Sequence, residues 1–208
     1  MYTSNSRENQ DLFILSVLDK KLEGTYVEIG SAWPIKANNT YLLESEFYWQ
    51  GISFDNDPNF VNEFNYTRKN QCLLADATKL DYNAIFEECG LDTHIDYLQL
   101  DIDPPYNTFK TLNLIDFNKY SFSVITYEHD SSSGGIKERI ESRKILESYG
   151  YTRVISDVMH NDVIFEDWYV NEKYMPNSNW KEFIGEQIKM NNEDIDIKYK
   201  KLFEKFLK

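Results

Sequence analysis

The chain has 208 residues, 41% hydrophobic and 15% aromatic, enough apolar material for one compact domain with its own core, which excludes a disordered protein. Its 35 acids stand against 22 lysines and arginines, a formal net charge of −13, and a surface of that sign opposes a protein that grips a phosphate backbone, so no nucleic-acid partner is expected. No apolar run approaches the ~18 residues of a bilayer span, and the polar stretch Met1–Asp11 has no targeting pattern, so the expected location is the cytoplasm.

Asp11–Leu22 has helical spacing, with Leu12, Leu15, Leu18 and Leu22 on one face. Thr25–Ile29 is a short apolar strand that ends at Gly30. Asn39–Trp49 is helical, and Gly51–Phe54 is a second strand running into Asp55. Past a polar helix near Pro58–Tyr66, Gln71–Ala75 is a third strand followed by Asp76. Leu80–Cys89 is a helix stopped by Gly90, a residue that accepts the left-handed cap. Ile95–Leu100 and Phe122–Tyr127 supply two more strands, and Ile136–Tyr149 a helix closed by Gly150. Arg153–Val158 and Val163–Val170 are close enough to pair antiparallel. Beyond Tyr174 the composition turns to Lys, Glu and Asn, with helical spacing over Trp180–Met190 and Ile195–Leu207.

Strands alternating with helices argue an α/β fold: a Rossmann-like, seven-stranded, mostly parallel sheet with its last strand antiparallel and helices on both faces. Residues 1–174 form its domain and 175–208 a C-terminal helical extension, which packs on the core or on a partner such as a second copy of the chain. Cys72 and Cys89 have neither metal-ligand nor disulfide spacing and are expected to be reduced, packed thiols. Asn38 and Asn65 match glycosylation acceptors by chance alone.

Ligands of an open parallel sheet bind at the carboxyl ends of its strands. Here those ends carry acids, Asp55, Asp76 and Asp101, with Glu28 inside the first strand. The first turn, Val27–Pro34, has Gly30 but lacks the further glycines that admit a pyrophosphate. An adenosine ligand without phosphate does not need them. S-adenosylmethionine is such a ligand, and its positive charges suit an acidic rim. Asp55 is placed to accept from the ribose hydroxyls, Asp76 to hold the adenine amine and Ala77 to offer its amide to the ring. Taken singly, each acid is equally a helix cap; the signal lies in their order.

In that order the residues resemble the FkbM family of class I S-adenosylmethionine-dependent methyltransferases, from about Gln10 to Val170. The likeness rests on "TYVEIGSAWPIKANNTYLLE", "WQGISFDNDP", "DYLQLDIDPPYNTFKTL", "ESYGYTRV" and "DVIFEDWYV". It implies methyl transfer, most often to oxygen, on a sugar, glycan or other small molecule. Glu28, Gly30 and Ser31 would line the methionine end, Asp55 and Asn56 the ribose, Asp76 and Ala77 the adenine, and Asp101 the transferred methyl. Asp55-Asn56 replaces the glutamate-proline of many relatives, which shortens the reach, and Trp33-Pro34 lengthens the first turn.

Asp103-Pro104-Pro105-Tyr106 also spells the box of enzymes that methylate the adenine amine, whose first residue sits at a strand tip and whose tyrosine stacks on a flipped base. If the strand stops at Asp101 instead, the prolines form a stiff loop and the box has no such role. For a hydroxyl acceptor a base is needed. His129 stands at the end of the fifth strand and is the candidate, while His94 and the turn residue His160 are expected at the surface. Asp101, Asp103, Glu128 and Asp130 form an alternative set for magnesium, which would acidify the hydroxyl. Ser131–Gly135 has the composition of a lid or a plain loop. Tyr106, Phe109, Tyr127 and Trp168 either wall the acceptor pocket or pack in the core. A non-enzymatic protein that binds the cofactor for an assembly partner is the rival of another class.

Overall fold

The structure is a computed structural model that describes residues 2–191 and 193–208. Its strands are β1 (Thr25–Ile29), β2 (Gln50–Asp55), β3 (Gln71–Leu74), β4 (His94–Leu100), β5 (Ser121–Glu128), β6 (Thr152–His160), β7 (Val163–Val170) and β8 (Gly185–Glu186). They form one eight-stranded sheet in the order β3-β2-β1-β4-β5-β7-β6-β8. Only β7 runs against its neighbours. The strand order reverses between β1 and β4, where a sheet of this kind opens a crevice at its carboxyl edge.

The helices are α1 (Gln10–Val17), α2 (Tyr41–Phe47), α3 (Pro58–Thr67), α4 (Tyr82–Glu88), α5 (Pro105–Leu112), α6 (Ile136–Ser148) and α7 (Ile197–Phe206). Side chains of a strand alternate between faces, and this divides the core in two. Tyr26, Tyr97, Val124 and Trp168 pack on one face with Leu12 and Phe13 of α1 and Phe203 of α7. Val27, Leu98, Ile125 and Tyr127 pack on the other with Phe86 of α4 and Leu146 of α6.

Three elements differ from expectation. The first helix stops at Val17 because Asp19, Lys20 and Glu23 take positive φ, and Leu22, assigned to its apolar face, is exposed. Only Pro104 of the proline pair belongs to the loop: Pro105 begins α5, where a missing N–H costs nothing. Trp180–Met190 is not a helix but a 3-10 turn (Asn179–Phe183) followed by β8, the eighth strand that alternation did not reveal. The C-terminal residues Trp180, Phe183, Met190, Tyr199 and Phe203 are buried in the same core as α1, so of the two expected placements of residues 175–208 they pack on the core. Of the thiols, Cys72 is buried and Cys89 exposed.

α1 is buried over its whole length, so its polar groups need internal partners. The Asp11 carboxylate accepts from Ser4 Oγ (2.6 Å) and from the backbone N–H groups of Asn5 (2.8 Å) and Ser6 (3.3 Å). That folds the preceding segment back over the carboxyl edge of the sheet.

Candidate functional site

At this edge the first turn is shaped by Gly30. Its φ is +89°, and a Cβ there would lie 1.7 Å from the Asp101 carbonyl oxygen. Only glycine lets β1 pass so close to the end of β4. The turn is then held by side chains. Asn38, buried, donates to Glu28 Oε1 (3.1 Å) and accepts from the Thr40 and Tyr41 N–H groups and from Arg68. Its burial also removes it as a glycosylation acceptor.

The alternation that builds the core continues to the strand ends and places a polar row on the α1 face. Glu28 is level with Gln99 and Glu128 with Glu166 in the strand register, and Asp101 follows Gln99 by two. A cavity of ~970 Å³ opens over this row. Glu28, Gly30, Ser31, Gln99, Asp101 and Glu128 line its sheet side, and Asn5, Ser6, Arg7 and Gln10 come from the N-terminal segment. The β6–β7 hairpin adds His160, Asn161 and Phe165, and Asn191 and Glu193 lie beyond β8. Arg7 and Lys36 are its cations among the described residues.

Burial raises the acids of this row. Glu28 is pushed up to about 7, opposed by nearby Arg68 and by hydrogen bonds from Ser53 and Asn38. Asp101 is raised to about 6 by burial, with Asp130 and Asp103 adding repulsion and Glu128 a relieving hydrogen bond. Glu128 rises through burial and the charge of Asp101. Glu166 is pushed to about 8 by burial, although Trp168 Nε1 (2.6 Å) and Gln10 Nε2 (3.0 Å) both donate to it.

These directions fix the pH dependence of stability. Each of these acids has a folded pKa above its unfolded value, so its stabilising contribution is complete below about pH 4 and is lost as pH rises through 6 to 8. Asp167 works the other way: against burial, the His129 ring and Arg143 hold its carboxyl below the usual range, and that contribution is lost in acid. The melting temperature of the unliganded protein should therefore peak near pH 5 and fall by roughly 10 °C by pH 9, with a shallower fall in Glu166→Gln. Stability rising from pH 5 to pH 8 would contradict these assignments.

Glu28, Gly30, Ser31 and Asp101 come together at the cavity. Asp55 and Asp76 end adjacent parallel strands on the same edge, Asp55 pairing in register with Leu74, but neither lines the cavity wall. The Asp55 carboxylate accepts from the backbone N–H groups of Ala32 and Asp57 (both 2.8 Å) and so ties the first turn to β2. Asn56 beside it is exposed. Asp76 is exposed, caps the next turn through Thr78 and pairs with Lys79 (2.7 Å), whose hydrogen bond lowers it to about 2. Ala77 is buried, its carbonyl taken by the Tyr82 hydroxyl.

His129 is not brought to the cavity. One residue past Glu128, it has the opposite parity and points to the α6 face, where its ring is fully buried. Nε2 lies 3.6 Å from carboxylate oxygens of both Asp157 and Asp167. Among the described residues this trio alone gathers metal-ligand atoms within 4.8 Å, but Arg143 binds both carboxylates and Arg139 binds Asp157. The two guanidinium charges already neutralise the acids, which makes the cluster a structural ion-pair network. The magnesium quartet expected from Asp101, Asp103, Glu128 and Asp130 is not drawn within that ligand distance, and Asp103 is exposed.

The amine-methylating box is not assembled either. β4 ends at Leu100, and the Asp101 N–H extends the ladder to the Ile29 carbonyl (3.0 Å). Asp103 lies beyond the strand tip, and Tyr106 is 60% exposed on α5. Tyr127 and Trp168 are core residues; Phe165 is the aromatic from β7 that faces the cavity. His160, expected at the surface, lines the cavity with its ring one-third exposed. Glu128 could have been found as a base candidate by extending the Val124–Thr126 parity. His160 carried no local signal.

No protein-family model matches this sequence, and no curated protein matches it by sequence. Among solved structures it is similar to a putative rRNA-methylase from Clostridium thermocellum (12% identity, TM-score 0.56, 81% of this chain and 97% of that one). The N-methyltransferase NodS from Bradyrhizobium japonicum matches over 79% of this chain and 95% of its own (10% identity, TM-score 0.50). A chain of a fibrillarin/NOP5P complex matches over 72% and 73% (14% identity, TM-score 0.51). The fold is that of the class I methyltransferases. Among the described residues no helix is long and apolar enough to cross a membrane.

Proposed function

We propose that this chain is an S-adenosylmethionine-dependent methyltransferase that acts on a hydroxyl of a sugar, a glycan or another small polyhydroxylated molecule. The observation that carries the reading is the row Glu28, Gln99, Asp101 and Glu128 inside a cavity at the carboxyl edge of a class I methyltransferase fold. Buried acids suit a cation, and a turn with Gly30 as its single glycine suits a ligand without phosphates. Bound there, S-adenosylmethionine supplies an electrophilic methyl group.

The residues divide the work. Gly30 and Ser31 admit the methionine end, and Glu28 balances the ammonium charge. Asp101 stands where β4 delivers a carboxylate beside the methyl. Asp55 and Asn56 hold the ribose with the lone pairs that the Ala32 and Asp57 amides leave free, and Asp76 and Ala77 bracket the adenine. The cavity is also lined by the amides of Asn5, Asn161 and Asn191 and by Phe165, and amides pair with hydroxyls in either direction. This lining and the likeness to FkbM enzymes favour an oxygen acceptor.

Incubation with S-adenosylmethionine carrying a 13C-methyl group and a pool of monosaccharides and polyols should give an O-methyl carbon signal together with S-adenosylhomocysteine. A label found only on amines or nucleic acid would overturn the acceptor assignment.

A further inference from the structure

We propose that His160, oriented by the buried Glu8, is the base that takes the proton of the acceptor. This rests on the methyl-transfer reading and adds a residue to it. His160 ends β6 at the β6–β7 hairpin and lines the cavity. Its Nδ1 is hydrogen-bonded to Glu8 Oε1, and Glu8 is fully buried. Its Nε2 is 3.0 Å from Asn161 Nδ2. An amide nitrogen can only donate, so Nε2 must accept. With Glu8 ionised, the ring proton sits on Nδ1 and is given to the carboxylate, and the Nε2 lone pair is engaged only by the Asn161 amide.

Glu8 comes from the N-terminal segment that Asp11 folds over the sheet edge, and the segment's other contribution, Arg7, lines the same cavity. The dyad thus joins two pieces that are 152 residues apart in the chain, which is why sequence gave no sign of it. Glu8 is the positioning residue. A carboxylate on Nδ1 fixes the tautomer and stabilises the imidazolium formed in the reaction.

The acceptor O–H proton moves to His160 Nε2, in place of the Asn161 hydrogen bond. The freed oxygen pair forms the bond to the methyl carbon, and the sulfur–methyl bonding pair returns to sulfur, leaving a neutral thioether. The imidazolium then rests against Glu8 and loses its proton to water through its exposed edge.

The charged groups facing the ring are Glu8 and Arg7 from the N-terminal segment and Glu193 from beyond β8. Glu166 bears on Glu8 from β7, and Asp162 on the hairpin turn is engaged by Lys189. Burial raises Glu8 to about 8 and lowers His160. Below about pH 8 Glu8 carries a proton and cannot act as the carboxylate partner of Nδ1; its ionised form appears as pH rises, so turnover should climb along an alkaline limb.

The test uses the full chain with S-adenosylhomocysteine bound. Long-range 1H–15N spectra of His160 should show the proton on Nδ1 and none on Nε2 above pH 8. Glu8→Gln keeps a hydrogen-bonding partner of the same shape, so a purely structural contact survives it. The proposal expects that variant, and His160→Gln, to lose on the order of 100-fold or more in turnover of the monosaccharide and polyol pool. In both variants S-adenosylhomocysteine affinity should stay within about twofold of wild type. A protonated Nε2 up to pH 10, or Glu8→Gln with full turnover and an unmoved pH profile, overturns the dyad and leaves the cofactor reading standing. Failure of the wild-type protein to bind S-adenosylhomocysteine removes the methyl-transfer reading and the dyad with it.

Discussion

Gly30→Ala should abolish measurable cofactor binding, an affinity loss of about 100-fold or more, and destabilise the protein by on the order of 3 kcal/mol. Two independent effects combine. The residue sits at φ +89°, a region that side-chain-bearing residues enter only under strain. The added Cβ would also collide with the Asp101 carbonyl at 1.7 Å and with the Ile102 side chain at 2.9 Å. Relief requires β1 and β4 to part where the cofactor's methionine end is expected. Denaturant unfolding together with calorimetry checks both parts. An alanine variant with wild-type affinity would mean that this turn is not where the ligand binds.

Arg68→Met is the second large effect, with an expected loss of about 3–5 kcal/mol. Arg68 is buried, bonds Glu44 at 2.8 Å and stacks on the Phe64 ring at 4.5 Å. Its other donors reach the Pro34 carbonyl (2.8 Å), Asn38 Oδ1 (3.0 Å) and Thr40 Oγ1 (3.0 Å). One guanidinium therefore fixes the turn after β1, and it also lowers the pKa of buried Glu28. Removing it leaves Glu44 buried without its cation and frees Asn38, which holds Glu28. Urea melts should show the loss, and replacing Glu44 by glutamine in the same chain should recover part of it. A variant within 1 kcal/mol of wild type would show that the network is not what holds the turn.

The strands were legible because their apolar runs are buried on both faces. Thr25–Ile29 was placed to the residue, and β2, β3, β4 and β5 to within one or two. The acids at their ends followed, since an acid after a buried run can only be at the edge. What failed was parity at those ends. Glu128 and His129 are neighbours in sequence but lie on opposite faces of the sheet, and chemistry alone favoured the histidine. Parity counted forward from Val124 through Thr126 favours Glu128. β8 is two residues long and exists because Trp180 and Phe183 anchor it, a tertiary cause with no local pattern. Glu8 and His160 meet only because α1 is wholly buried and its lead-in segment has to fold back across the sheet edge.

The central claim is that the carboxyl edge of this sheet holds a phosphate-free, positively charged nucleoside. Titration calorimetry of S-adenosylmethionine against the wild-type chain and Asp55→Ala tests it most directly. One site per chain is expected, with an affinity at least ~10-fold weaker in the variant from the loss of charge-assisted hydrogen bonds to the ribose. No heat with S-adenosylmethionine, equal affinity in Asp55→Ala, or preferential binding of a diphosphate dinucleotide would contradict it.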